Sequence, residues 1–215
     1  MNFSFADKAM KDMNRRNLRS FGKLKQLKFD ELNILAAVND TYGDSIALAK
    51  KRYKQIAVDA FIEALLEIAY SIESASKLAE ETITDDWVLD MLEDYDPTTL
   101  YQFLPEAERK KRRLVEAIVA TQKPPKGKIK GVGPSQEIDK ALRIWTRQVA
   151  QYADRSVVDG TIDGYKEAGV KQVKWIAVDD EKTCHECKKL DGKIFPIDNV
   201  PPRPHYNCRC QLEIV

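Results

Sequence analysis

The chain has little of what secreted and membrane proteins carry. No apolar run approaches the ~18–20 residues that a membrane-spanning helix requires, and the first residues lack the charged start, apolar core and small-residue cleavage site of a secretory signal. We therefore expect no membrane span, and a protein that is made and kept in the cytoplasm. Cysteine is also scarce, with four residues in 215. Cytoplasmic thiols stay reduced, so clustered cysteines there more often bind metal than form disulfides.

A strong excess of either charge is absent as well. Lys and Arg number 35 and Asp and Glu number 34, so the whole molecule gives no reason to expect nucleic-acid binding. The charge is uneven along the chain, however. Residues 1–30 hold eight basic groups against three acidic ones, and residues 105–135 hold nine against three. A local excess of this kind can contact a nucleic acid or an acidic protein face, although a solvated helix face is the simpler explanation.

Helical periodicity dominates the first two thirds of the chain. From Phe29 to about Ser76 there is no proline and one glycine, Gly43, which is a candidate position for a break or bend. Further helix starts are predicted with Thr84 as the N-cap and at Pro105. Apolar residues recur at three- and four-residue spacing, as one buried helix face requires: Ile56, Ala60, Ile62, Leu65, Leu66 and Ala69.

Proline and glycine concentrate in one place, residues 123–134, which we predict to be a basic linker because three of each cannot hold a regular element. Two helices follow, one from Ser135 and one from about Arg155 to Glu167. Short strands are predicted at residues 173–178, 192–197 and 210–215. The fold class is therefore α+β: a mostly α-helical N-terminal body (residues 1–122), then the linker, then residues 135–215 with a small C-terminal β-sheet and Cys/His module.

All four cysteines and both histidines lie in one window. The window reads Cys184-His-Glu-Cys187, then seventeen residues, then His205-Tyr-Asn-Cys208-Arg-Cys210. Zinc favours four tetrahedral sulfur and nitrogen ligands, and a Cys-x-x-Cys pair with a return pair about fifteen to twenty residues later is a common spacing for a structural site. The pattern predicts a zinc site that contributes folding energy to a segment too small to form its own core.

The candidate ligands outnumber the four positions. Cys184 and Cys187 form the first pair, and the return pair comes from His205, Cys208 and Cys210, among which spacing alone does not choose. His185, inside the Cys-x-x-Cys turn, is expected to point outward. The residues between the pairs are predicted to form a short hairpin that turns at residues 190–192. A metal-free thiol cluster and disulfides formed after lysis or in an extracellular particle are the alternatives to zinc.

The stretch from Trp175 to Leu212 is more specific than a generic zinc site. A tryptophan strand is followed by Asp180-Glu-Lys-Thr-Cys-His-Glu-Cys187, by Leu190-Asp-Gly192, and by a closing Pro204-His-Tyr-Asn-Cys-Arg-Cys210. This order resembles the C-terminal signature of the phage Mu F-like head-morphogenesis family, and the resemblance covers roughly residues 135–215. The family usually carries Arg-Thr-Glu in the preceding helix. Here Asp154-Arg155-Ser156 takes that place, with Asp159 one turn on, which is a departure.

The resemblance implies a low-copy structural protein of the virion head with no catalytic activity. Such proteins associate with the portal, enter the particle during procapsid assembly in the host cytoplasm, and in some cases affect DNA packaging or accompany the DNA out of the head. The implied partners are the phage portal protein and the major capsid or scaffolding protein, with DNA as a further candidate. The divergent helical N-terminal part is similar to what the family has.

Two other classes of function compete with this interpretation. A zinc-dependent nuclease of the His-Asn-His type needs more histidines than the two present, a metalloprotease needs a His-Glu-x-x-His helix that is absent, and Glu186 is the only acid well placed near the cluster. A zinc-ribbon DNA-binding regulator would need a more basic and more aromatic signature segment. We therefore predict that the protein is not an enzyme.

The remaining signature residues are predicted to support the module. Arg209, between two candidate ligands, is expected to form an ion pair with Asp179, Asp180 or Asp191. The large apolar residues of the signature are expected to form a small core beneath the zinc, and the other two tryptophans are expected to lie in the core of the helical part. These residues are Trp175, Phe195 and Leu212, and Trp87 and Trp145, respectively.

Overall fold

The computed structural model describes residues 1, 3–27, 33–98, 100–122, 133–178, 180–205 and 208–215. Their helices are α1 (Ser4–Lys25), α2 (Asn33–Leu66), α3 (Ile72–Thr82), α4 (Asp85–Glu93), α5 (Phe103–Gln122), α6 (Pro134–Glu167) and α7 (His185–Leu190). Their strands are β1 (Gln172–Ile176), β2 (Ile194–Pro196) and β3 (Gln211–Ile214). The predicted α+β class, mostly helical with a small C-terminal sheet, is confirmed.

An aromatic cluster lies at the centre of the helical part, where α1, α2, α5 and α6 pack together. Trp145 is fully buried, and its ring centroid lies 4.9 Å from that of Tyr42 and 5.5 Å from that of Phe103. Its indole N–H donates to Ser45 Oγ at 2.6 Å, so the one polar atom of the ring is satisfied. Trp145 is therefore the core residue predicted. Trp87 is only partly buried at the edge of the core, where its indole N–H donates to Asp163.

Helix α6 connects the helical part to the sheet. Along its second half it approaches α2 so closely that a Cβ on Gly160 would lie 2.6 Å from the Ala57 carbonyl oxygen, and a Cβ on Gly164 would lie 2.8 Å from the Phe61 carbonyl oxygen. Glycine is required here because the backbones of two helices occupy the space where a side chain would stand. Strand β1 follows shortly after the C-terminal end of α6.

Three helix predictions are corrected by the structure. The two helices predicted from Ser135 and from Arg155 are one continuous helix, α6, because no proline interrupts the segment and Ser156 turns its hydroxyl back to the Tyr152 carbonyl within the helix. Helix α2 runs straight through Gly43, whose cost of roughly 1 kcal/mol is outweighed by packing. Helix α5 begins at Phe103, so Pro105 lies in its first turn, where a missing N–H costs nothing.

Most of the predicted linker, residues 123–134, lies outside the described residues, apart from Gly133 as the N-cap of α6 and Pro134 as its first residue. The division of the chain into residues 1–122 and 135–215 stays a prediction. The first half of α6 packs into the same hydrophobic core as α1 and α2.

The small sheet has the order β2-β1-β3, with both neighbours antiparallel to the central strand β1. Trp175 of β1 is paired with Leu212 of β3, and both are buried in a second apolar cluster against which Phe195 packs. The predicted core beneath the cysteines is thus present, and the three predicted strands are confirmed with shorter bounds. Among the described residues, no helix combines the length and apolar content that crossing a membrane requires.

Candidate metal centre

The Cys-x-x-Cys pair lies at the start of a helix. Cys184 is the N-cap of α7, and its Sγ accepts the backbone N–H of Cys187 at 3.3 Å. A helix N-terminus presents free N–H groups and a partial positive charge, which favour a thiolate. The Cys-x-x-Cys segment was predicted to form a turn, whereas in the structure residues 185–190 form a short helix. His185 points to solvent, as expected, with 78% of its side chain exposed.

The return segment brings the remaining candidates to the same place. Cys187 Sγ lies 3.3 Å from His205 Nε2 and 3.5 Å from Cys208 Sγ. Two overlapping groups result, Cys184 with Cys187 and His205, and Cys187 with Cys208 and Cys210, and within each group all ligand atoms lie within 4.8 Å of one another. The cluster formed by these five residues could therefore hold a metal ion.

The two distances from Cys187 are compatible with one tetrahedral ion. Zinc binds sulfur at about 2.3 Å and histidine nitrogen at about 2.0–2.1 Å, which places neighbouring ligand atoms roughly 3.5–3.8 Å apart. The separations around Cys187, 3.3 Å to nitrogen and 3.5 Å to sulfur, are close to that range. Thiolates, alone or with an imidazole, are the donors of structural zinc sites.

The thiols of the cluster differ in their pKa. Burial raises the pKa of the Cys187 thiol well above its ordinary value, and it also raises the pKa of the Cys208 thiol against the opposing charge of Arg203. The Cys184 thiol, which accepts the N–H of Cys187, has a lowered pKa. A cation at the centre would favour the thiolate forms, so metal binding at this cluster should release protons and strengthen as pH rises.

Arg203 holds the return segment in place, and sequence reasoning missed it. Its guanidinium donates to the backbone carbonyl of Cys208 and, at 2.8 Å, to that of Cys210. The same group lies 4.1 Å from the ring centroid of Phe3 in the turn before α1, and the Arg203 carbonyl accepts the Thr98 hydroxyl at 2.9 Å. No local pattern marks such a residue, because its partners are carbonyls and a ring distant in the chain.

Two further contacts close the module around the cluster. Arg209 forms an ion pair with Asp180 at 2.7 Å, one of the three partners predicted for it, and this guanidinium lowers the pKa of the Asp180 carboxyl. Asp191 accepts the backbone N–H of Ala177 at 2.8 Å, and the N–H of Gly192 donates to the Trp175 carbonyl at 2.8 Å. The Leu-Asp-Gly turn thus fixes α7 against β1. Asp179, the other signature aspartate, and Asn207 lie outside the described residues.

The predicted hairpin between the two ligand pairs is wrong. Beyond the turn at residues 190–192, the chain enters β2, which pairs with β1 rather than with the segment before the turn. The segment before the turn is the helix α7, so it offers no strand edge. A single turn of 3₁₀ helix, Ile197–Asn199, follows and leads to the return segment.

Some basic residues of the segments 1–30 and 105–135 form ion pairs within the molecule. In α1 and α2, Arg15, Arg16 and Arg52 all contact Asp12. In α5, the buried Glu106 accepts Arg109 and Lys110, and burial lowers the pKa of Lys110 to about 8. These pairs account for some of the local excess of basic residues without any partner.

The C-terminal part of the chain, which contains the Cys/His cluster, matches a known protein family. Residues 129–213 match the family model described as Phage Mu protein F like protein. This match agrees with the resemblance of the C-terminal signature to the Mu F-like family. The matched range begins before α6 and ends in β3, so it contains the whole cluster and the sheet beneath it. Residues 1–128 lie outside the match. No curated protein and no solved structure matches the chain.

Asp154-Arg155-Ser156, which stands where the family usually carries Arg-Thr-Glu, lies next to the candidate metal centre. Asp154, Arg155 and Asp159 line a cleft of about 290 Å³ between α6 and residues 200–205 of the Mu F-like region. Arg155 forms an ion pair with Asp159 at 3.0 Å. Burial raises the pKa of Asp154 and of Asp159 to about 6 each, with the guanidiniums of Arg203 and Arg155 acting in the opposite direction.

Proposed function

We propose that this protein is a minor head protein of a tailed bacteriophage that acts in head morphogenesis. It associates with the portal and the procapsid and is carried in the virion head after assembly in the host cytoplasm. Its contacts there are with the portal protein and with the major capsid or scaffolding protein. DNA is a further partner, reached through the basic residues of α1 and α5.

The observation that carries the proposal is the Mu F-like region itself. The match spans residues 129–213, and the signature within it accounts for features that the fold uses: Trp175 in the core, Asp191 in the turn, Arg209 in an ion pair and the Cys/His cluster. A family-model match of this length, on residues with these structural roles, favours the function implied by the resemblance over an unrelated zinc ribbon.

The metal in this proposal is a structural zinc. The candidate donors are Cys184, Cys187, His205, Cys208 and Cys210, which exceed the four ligands of a closed site, whereas a catalytic zinc keeps one position open for water. Glu186, the acid inside the Cys-x-x-Cys motif, contacts Lys189 at 2.9 Å and His185 at 3.3 Å on the exposed side of α7, away from any role as a general base. Zinc bound here supplies folding energy to the module, and no enzyme activity is proposed.

The head role is tested by counting copies in particles. DNA-filled and empty heads of the source phage are purified, and the chain is quantified against the portal protein by mass spectrometry. We expect a few to a few tens of copies in each particle, with a constant ratio to the portal across preparations. An abundant protein of the lysate serves as the control for carry-over. Absence from both kinds of particle, with the protein plentiful in the lysate, would contradict the proposal.

The DNA contact is tested separately. Binding of the purified chain to duplex DNA should weaken steeply with salt if phosphates are contacted, because each neutralised phosphate releases a counterion. Replacing the exposed Arg112 and Arg113 of α5 by glutamine should reduce the salt slope. Binding that does not depend on salt, or no binding at low salt, would remove DNA from the list of partners while leaving the head role intact.

A further inference from the structure

The cleft between α6 and residues 200–205 (the α6 cleft) carries charged groups that the Cys/His cluster does not use. Its volume is about 290 Å³, comparable to the smallest pockets that bind ligands. Three carboxylates and two guanidinium groups line it, so one negative charge is in excess. These groups belong to Asp96, Asp154, Asp159, Arg155 and Arg203.

Most of these groups have partners within the protein. Arg155 donates from Nε to Asp159 at 3.0 Å, and Asp96 accepts the backbone N–H of Thr98 at 2.8 Å. Arg203 donates to two main-chain carbonyls of the return segment. The Nη1 group of Arg155, which has no partner among the described residues, is closed off from solvent and therefore offers no site for an anion.

Asp154 differs from the other charged groups of the cleft. Its half-buried carboxylate accepts no hydrogen bond from the described residues, and its pKa is affected by burial and by the charges of Arg203 and Asp7. A carboxylate that is partly removed from water needs donors, and a cationic donor forms the stronger kind of hydrogen bond. The excess negative charge of the α6 cleft is therefore available to a cationic ligand at Asp154.

The arrangement favours an organic monovalent cation over a metal ion. Calcium and magnesium take several oxygen ligands at once. Among the described residues, however, the side-chain groups close enough to share a metal ion contain only cysteine and histidine, and none of the carboxylates of the cleft. An ammonium or guanidinium group needs only one carboxylate, which accepts its hydrogen bonds.

The remaining lining of the α6 cleft is mostly aliphatic, with Val158 and Ile162 of α6 facing Val200 and the two prolines that follow it. The stems of lysine and arginine pack along such surfaces while their charged heads reach a polar partner. Next to the Asp96–Thr98 segment of the lining, Tyr95 is 57% exposed and Leu100 is 71% exposed. Exposed aromatic and aliphatic side chains beside a cleft are typical of protein contact surfaces.

We propose that the α6 cleft binds a lysine or arginine side chain of a partner protein. The aliphatic stem of that side chain lies along the apolar lining, and its charged head donates to the Asp154 carboxylate. The neighbouring residues of the partner contact Tyr95 and Leu100. This contact goes beyond the head role and does not depend on it, because it requires only the folded chain.

The first test measures the binding of small probes to the full chain by NMR at about pH 7.5, where a carboxyl with a pKa of about 6 is ionised. The probes are the methylamides of N-acetyl-lysine and N-acetyl-arginine, and that of N-acetyl-norleucine is the uncharged control. We expect both cations to shift the signals of residues 154–162 and to bind at least about 10-fold more tightly than the control. Equal binding of the three probes, or no shift at the cleft, would overturn the proposal.

A matched pair of variants locates the contact. Asp154→Asn removes the charge of the cleft, whereas Asp198→Asn removes a carboxylate that is 81% exposed and does not line the cleft. We expect Asp154→Asn to weaken both cationic probes by about 10-fold or more, and Asp198→Asn to leave them unchanged. Equal losses in the two variants would indicate a general effect of charge and would contradict the site. If Asp154→Asn fails to fold, the comparison with norleucine in the unaltered chain still decides the proposal.

A third comparison separates a protein side chain from a free polyamine. The peptide acetyl-Leu-Lys-Leu-amide should bind more tightly than spermidine, because its leucines reach the exposed Tyr95 and Leu100. The reverse order would assign the α6 cleft to a polyamine and overturn the protein partner. Each of these results is independent of the number of copies found in particles, so the failure of this proposal and the failure of the head role are distinguishable.

Discussion

The body of packed helices, α1–α6, and the C-terminal module, residues 172–215, reach a stable fold in different ways. In the body, stability is distributed over many large buried side chains, including Tyr42, Tyr53, Phe103 and Trp145. In the module, the three strands are only three to five residues long, and a few polar contacts bridge segments that share only a small core. We therefore expect the body to tolerate the loss of any single polar contact, and the module to depend on a few hydrogen-bond donors and on the zinc proposed for the Cys/His cluster.

The module follows α6 in the chain, and α6 is itself held against α2 by close helix packing at Gly160 and Gly164. Arg203 then joins the module to the body through the Phe3 ring and the Thr98 hydroxyl. Substitutions at these points separate the two modes of stabilisation.

The largest effect is expected from Trp145→Ala in the body. Removing this fully buried ring leaves a cavity between Tyr42 and Phe103. It also removes the indole N–H that donates to Ser45 Oγ. We therefore expect a loss of about 3–5 kcal/mol in the free energy of unfolding. Urea unfolding followed by circular dichroism measures it. Trp87→Ala, at the edge of the core, is the matched control and should cost clearly less. Equal losses for the two variants would contradict the core assignment.

Arg203→Met should weaken the module and its contact with the Phe3 ring, and leave the core of the body intact. The guanidinium supplies hydrogen bonds to two carbonyls in a buried place, so we expect a loss of about 2–3 kcal/mol and weaker zinc binding. The comparison variant is Arg209→Met, which removes an ion pair at the surface and should change little. If unfolding of the helices shifts as much as release of zinc does, Arg203 does not act through the module.

Gly160→Ala tests the contact between α2 and α6. A methyl group 2.6 Å from the Ala57 carbonyl oxygen forces the helices apart, and overpacking of this kind costs about 1–3 kcal/mol. Gly43→Ala is the matched control, because nothing lies within 4 Å of its Cβ position in α2. It should stabilise the protein by up to about 1 kcal/mol through helix propensity. Thermal unfolding of both variants would show opposite shifts, and shifts of the same sign would contradict the close approach.

The smallest effect is a dependence on pH at the cleft. The pKa of Asp154 rises from 3.8 to about 6 on burial, so the folded state binds this proton more tightly than the unfolded chain. Stability is therefore lost as pH rises through that interval and stays lower above it. The amide introduced by Asp154→Asn does not titrate. A pKa shift of this size corresponds to about 3 kcal/mol at most, and solvent screening at this half-buried side chain reduces it, so the variant should gain about 1–2 kcal/mol over the unaltered chain between roughly pH 4 and pH 7.5. Urea unfolding at several pH values measures this, and a difference that does not change with pH would contradict it.

Much of the fold was predictable because periodicity reports local structure. The helical spacing of apolar residues such as Ile56 and Ala60 placed a helix, and the alternation around Trp175 placed a strand. The continuity of α6 past Arg155 and of α2 past Gly43 was not predictable, because tertiary packing outweighs the weak local preferences at these positions. The same holds for Gly160, whose need for glycine comes from a helix that is distant in the sequence.

The candidate site was also predictable only in part. Clustering of Cys184, Cys187 and His205 followed from the spacing of scarce residue types, and the structure brings them together. The ion pair of Arg209 was predicted, but which of three aspartates it would meet was not. Arg203 was invisible to sequence reasoning, since its hydrogen bonds go to main-chain carbonyls that every residue has.

The most direct test of the account is hydrogen–deuterium exchange of the whole chain, read by mass spectrometry with zinc bound and after chelation. We expect chelation to raise exchange by about 100-fold or more in residues 172–214 and to leave α2 and the first half of α6 protected, with full reversal when zinc is restored. Exchange that is unchanged by chelation, or that rises equally in the helical body, would contradict the claim that the metal centre holds the module together.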